Sequence, residues 1–129
     1  MKIKKTRWSY YNLNYHFVWT PKYRRSVLTD TVAQFLEQVL HNIAEEYDIE
    51  ILLLSVRPNY VYLSVSAPPR FSPAELANLF KGISAKKLAE QFPALKTKHG
   101  VWTRAYYVSS AGAVAEEDIR RYIEKCRDI

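Results

Sequence analysis

A chain of 129 residues, 48% apolar and 25% charged with only three glycines, excludes the disordered and fibrous classes and suits one globular domain over residues 1–129. The formal charge of +6 favours a polyanionic partner, of which nucleic acid is the commonest. One cysteine, Cys126, excludes an internal disulfide and a cysteine-based zinc site; with no membrane-length apolar run and no signal-peptide core, a cytoplasmic protein free of membranes is expected.

Leu13, Tyr15, Phe17 and Trp19 alternate with Asn14, His16 and Val18, which predicts a strand with one strongly apolar face, ended by Pro21. From Thr29 or Thr31, either able to cap, Val32, Phe35, Leu36, Val39, Leu40, Ile43, Ala44 and Tyr47 recur at helical spacing. Residues 49–56 read as a second strand, Pro58-Asn59 as a turn and Tyr60 to Ser66 as a third strand paired back on it. Ser72, Pro73 and Glu75 then give three helix-start signals together. That helix buries Leu76, Leu79, Phe80 and Ile83, is expected to loosen at Gly82, and closes at Phe92-Pro93. Lys96 to Gly100 forms a basic loop, Trp102 to Ser109 a fourth strand, and Ala115 to Cys126 a last helix with acids in its first turn and Lys125 at its end. The order β-α-β-β-α-β plus a terminal helix predicts an α+β, ferredoxin-like split βαβ sandwich: an antiparallel sheet with helices on one face.

Tyr60 and Tyr62 stand at i and i+2 on the third strand and therefore share a face. Two histidines so placed suit a divalent cation, whereas phenols are poor ligands for Mg²⁺ or Mn²⁺ near neutral pH. Aromatic side chains on such a strand also suit base stacking, although the glycine-rich aromatic signature of RNA-recognition domains is absent. His16, on the neighbouring strand, can face the same place as a lone surrogate ligand, and His41 lies on the exposed side of the first helix. Lys22, Tyr23, Arg24 and Arg25 combine charge with an aromatic ring, and Lys81, Lys86 and Lys87 lie within about two turns of one helix. Together with His99 and Arg104 they form the candidate DNA-binding set, contacts that position a backbone without reading sequence.

Five motifs in order resemble the single-tyrosine HUH transposases of insertion sequences and the REP-associated tyrosine transposases. They are Tyr15-His16-Phe17-Val18-Trp19-Thr20-Pro21-Lys22-Tyr23-Arg24-Arg25; Pro58-Asn59-Tyr60-Val61-Tyr62-Leu63; Leu79-Phe80-Lys81-Gly82-Ile83-Ser84-Ala85; Trp102 through Tyr107-Val108; and Arg121-Tyr122-Ile123-Glu124. The resemblance implies a homodimer that cuts and rejoins single-stranded DNA at short hairpins in DNA transposition. It also implies a nucleophile at Tyr122 and a Mg²⁺ or Mn²⁺ ion held by two histidines and a glutamine. Here Tyr60 and Tyr62 take the histidine positions, Cys126 the glutamine position, and Asn59 the place of an aspartate. The expectation is a family member that binds single-stranded or hairpin DNA with no intact metal centre and with Tyr122 idle. The alternatives are a transposase active through a substitute ligand and a non-enzymatic RNA- or DNA-binding regulator.

Overall fold

The computed structural model describes residues 3–110 and 116–125. Two-residue strands β1 (Lys4–Lys5) and β2 (Tyr10–Tyr11) open the chain as an antiparallel ribbon, whose turn is closed by the Thr6 N–H donating to the Ser9 carbonyl at 2.8 Å. No apolar alternation foretells it, because neither strand has a fully buried residue.

The main sheet contains β3 (Asn14–Trp19), β4 (Glu50–Arg57), β5 (Tyr60–Ser66) and β6 (Tyr107–Ser109) in the order β4-β5-β3-β6, with every pair antiparallel. Helices α1 (Asp30–Glu46) and α2 (Pro73–Gln91) complete the expected β-α-β-β-α-β order, and α3 (Glu116–Lys125) follows. The β4–β5 hairpin turns at Pro58-Asn59 as its sequence dictates. Helix α1 follows Thr29, not Thr31, and that side chain makes no capping hydrogen bond. Helix α2 starts on a complete capping box: Ser72 Oγ accepts from the Glu75 N–H at 3.1 Å and Glu75 Oε1 accepts from the Ser72 N–H at 2.8 Å. It runs through Gly82 without a break; the exposed glycine costs helix propensity but interrupts no hydrogen bond.

Alternate residues of β3 and β5 feed two separate apolar clusters. Phe17, Trp19, Val61, Leu63 and Val65 pack with Leu36, Leu40, Ile43, Leu76, Phe80 and Leu88 of α1 and α2. Val18 and Tyr62 pack with Ile119 of α3 on the opposite face. The first strand is therefore buried on both sides near its end, not on one, and among the described residues the helices are divided between the two faces, α1 and α2 on the first and α3 on the second.

The predicted fourth strand is also shorter than the run from Trp102 suggests. Trp102 bridges Pro21, and the Thr103 N–H donates to the Thr20 carbonyl at 3.0 Å, but ladder pairing with β3 resumes only at Tyr107. Between them Lys81 Nζ donates to the carbonyls of Thr103, Arg104 and Ala105 at 2.7, 3.0 and 3.2 Å. Carbonyls of this segment are held by an ammonium from α2 instead of a neighbouring strand, and beyond it the adjacent Tyr106 and Tyr107 alternate into the first and second clusters.

Candidate functional site

Strand register brings the altered positions together. Val18 pairs with Tyr62 on one side and with Tyr107 on the other, so three side chains line one row across the second face. Tyr60 lies two residues from Tyr62 on the same face, and His16 lies two residues from Val18. His16 Nδ1 and the Tyr62 hydroxyl are hydrogen-bonded at 2.9 Å, with ring centroids 6.0 Å apart and planes within 20°. Both groups are buried, at 8% and 7% exposure, so each answers a polar atom that would otherwise be costly to bury.

Helix α3 closes over this row. Ile119, Tyr122 and Ile123 form its inner stripe, while Arg120, Arg121, Glu124 and Lys125 are exposed. The Tyr122 ring meets Tyr107 at 6.1 Å between centroids. Tyr122 is thus both a residue of the apolar stripe and a member of the cluster that holds Tyr60 and Tyr62. Cys126 lies outside the described residues. Sequence placed Tyr107 in the fourth motif but gave it no site role; its period-2 position opposite Val18 was the available signal, hidden by the broken fourth strand.

The cluster does not suit a divalent cation. Its donors are phenols and one imidazole, the Nδ1 of that imidazole is engaged by a phenol, and no group of three His, Cys, Asp or Glu side chains occurs among the described residues.

The basic set divides by what its side chains hold. Lys22 is 2% exposed, with Nζ beside the Tyr23 ring at 5.6 Å from its centroid. Arg25 donates to the carbonyls of Lys22 and Leu95 at 3.2 and 2.6 Å, and Lys81 is spent on the three carbonyls before β6. Arg24 donates from Nη1 to the Ile123 carbonyl at 2.9 Å and so ties the turn after β3 to α3. Tyr23 and Arg24 both adopt left-handed backbone, φ 62° and 53°, a conformation that contacts of this kind must hold in place. Tyr23, Lys86, Lys87, His99 and Arg104 are exposed. Two shallow grooves between α2 and residues 96–104 share Ala85, Gly100 and Val101; Lys86, Lys96 and Arg104 line them, with Glu90 among the walls. A basic groove of this form suits a phosphate backbone.

Residues 9–126 match the family model described as "Transposase IS200 like". The chain is similar to the ISDra2 transposase TnpA of Deinococcus radiodurans, at 32% identity over 99% of this chain and 94% of that protein. It is also similar to the transposase for insertion sequence element IS200 of Salmonella typhimurium, at 30% identity over 95% of this chain and 83% of that one. Among solved structures, one assigned to the transposases from Deinococcus radiodurans R1 superposes with a TM-score of 0.82 at 37% identity, covering 94% of this chain and 95% of the other. A REP-associated tyrosine transposase bound to a REP hairpin shares the fold, with a TM-score of 0.59 at 17% identity over 94% of this chain and 68% of that one.

Proposed function

Since the chain belongs to the IS200-like transposase family, we propose that it binds single-stranded or hairpin DNA, as a cytoplasmic homodimer, and that metal-dependent nicking has been lost. The observation that carries the loss is the His16–Tyr62 hydrogen bond. A buried phenol occupies a position where the family places a metal-binding imidazole, and the nearest imidazole is turned onto that phenol. Tyr122 packs against Tyr107, beside phenols that are poor ligands for a divalent Lewis acid.

Binding is supported by the groove between α2 and residues 96–104 and by the REP hairpin carried by the structural relative. Lys86, Arg104 and His99 offer the accessible contacts; Lys22, Arg25 and Lys81 support the frame that presents them. Lys86→Ala should therefore flatten the dependence of log K on log salt by about 0.9 for a duplex stem. An unchanged slope in a fluorescence-anisotropy titration would move the interface off this groove.

The decisive experiment is a nicking assay on hairpin-bearing single strands with Mn²⁺, with Tyr122→Phe as the control. Binding without cleavage in either protein is the expected result. Metal-dependent cleavage that disappears in Tyr122→Phe would falsify the loss of catalysis, and failure to bind any structured single strand at low salt would remove the DNA-binding reading.

A further inference from the structure

The β1–β2 ribbon exposes more aromatic surface than its packing needs. Trp8 is 84% exposed and Tyr10 74%, the other two tryptophans, Trp19 and Trp102, being buried at 0% and 7%. Each exposed ring already carries a cation: the Arg7 guanidinium carbon lies 4.7 Å from the Trp8 ring centroid and Lys5 Nζ 5.7 Å from that of Tyr10. A cation on one face of a ring leaves the other face open. The tip is held in shape by the Thr6 N–H on the Ser9 carbonyl and by the hydroxyls of Thr6 and Ser9 in contact at 2.5 Å. Lys4 forms an ion pair with Glu50 and so fastens the ribbon to the start of β4.

Charge fixes the kind of partner. The chain has no Asp or Glu before Asp30, so the ribbon presents Lys5 and Arg7 with no acid of its own. Rings backed by cations on a rigid tip are suited to unpaired bases, which stack on any aromatic face while their phosphates meet the cations. The ribbon leads into the Asn14 end of β3, whereas Tyr60 and Tyr62 lie toward the Trp19 end, about 17 Å away along the strand. Residues 4–8 also precede the stretch matched by the family model, which begins at residue 9.

We infer that the ribbon tip, through Trp8 and Tyr10, is a stacking site for the unpaired single-stranded DNA that flanks a hairpin, separate from the tyrosine cluster. The inference rests on the reading that DNA is the partner. A stem engaged in the groove leaves a single-stranded flank free to reach a second contact, and two contacts on one strand add affinity through effective concentration.

Titrating the full chain with two synthetic hairpins of the same stem, one blunt and one with an unpaired thymidine flank, separates the inference from that reading. The flank should tighten binding and quench the fluorescence of Trp8, with the two buried tryptophans as an internal reference. In Trp8→Ala the gain from the flank should fall about 5- to 100-fold, with a smaller loss in Tyr10→Ala, while affinity for the blunt hairpin and the melting temperature stay unchanged. If both hairpins bind equally to the unaltered protein, the stacking site is wrong and the DNA-binding reading stands. If neither binds, both fall. Quenching that grows with protein concentration in the absence of DNA would mean that a second copy of the chain covers Trp8, and would overturn the inference as well.

Discussion

On β5, Val61, Leu63 and Val65 turn toward α1 and α2, while Tyr60, Tyr62 and Ser64 turn toward the face that α3 covers. The first face is closed by two long helices and filled mainly by aliphatic and aromatic side chains, with the Trp102 indole N–H donating to Ser84 Oγ at 3.0 Å. The second is closed by one helix and filled largely by tyrosines, whose hydroxyls need partners wherever they are buried. One face should therefore carry most of the stability, and the other holds the tyrosines on which the proposed loss of nicking rests. The helix-facing residues form a continuous core, while Tyr60, Tyr62, Tyr107 and Tyr122 bring four phenols together on the second face.

The largest effect should come from the first face. Leu63→Ala removes a fully buried side chain from the middle of the sheet and should cost about 2–5 kcal/mol in urea unfolding. Tyr122→Ala, at a partly exposed position on the second face, should cost less. Equal losses would break the distinction, because the tyrosine face would then be a core of the same weight.

Lys81 joins the two regions. From α2 it holds the carbonyls of Thr103, Arg104 and Ala105, the segment that leads into Tyr106 of the first cluster and Tyr107 of the second. Lys81→Met keeps much of the stem and removes the charge-assisted bonds, for an expected loss of about 2 kcal/mol. DNA affinity should weaken only as far as Arg104 and β6 are displaced. A variant of unchanged stability with a flatter salt dependence would instead make Lys81 a phosphate contact, as its spacing with Lys86 and Lys87 alone would suggest.

That contrast shows where sequence is informative and where it is not. Helix α2 was legible because Ser72, Pro73 and Glu75 act within one turn of one another, and the β4–β5 hairpin because Pro58-Asn59 sits between two strand patterns. The family motifs were legible for a similar reason, being short and ordered along the chain. The interruption before β6 was not, because it is imposed by an ammonium 22 residues away from the first carbonyl it holds. The His16–Tyr62 bond spans 46 residues and depends on a strand register that no local pattern states. Basic residue types showed the net charge but not where each charge points: Lys22 is buried and Arg25 is spent on carbonyls, while Lys86 and Lys87, of the same composition, are exposed. The placement of α3 on its own face was likewise set by the inner stripe meeting Val18 and Tyr62, a match visible only once the strands are paired.

Within the second face, Tyr62→Phe tests how far a polar pair stabilises a buried position. It removes one hydroxyl, keeps the ring, and leaves His16 Nδ1 without that partner, so a loss of about 1–2 kcal/mol is expected. No loss would mean that His16 turns to another partner or to water, and the site would be looser than its geometry indicates.

The smallest effect asks whether the second face still has the shape of a metal site. Tyr60→His with Tyr62→His would place two imidazoles at i and i+2 on the face that already holds His16, giving a donor set suited to Ni²⁺ or Zn²⁺. With metal tenfold above its dissociation constant, linkage predicts about 1.4 kcal/mol of added stability, a rise of a few degrees in melting temperature that a chelator reverses. The unaltered protein should show no such rise, since this face then offers a single imidazole among phenols. Stabilisation of the double variant alone would mean that the backbone frame persists and that only the side chains separate this face from a metal centre. Equal responses in both proteins would mean that the metal binds elsewhere, and no response in either would mean that the packing of Tyr107, Tyr122 and α3 has closed the space a cation needs.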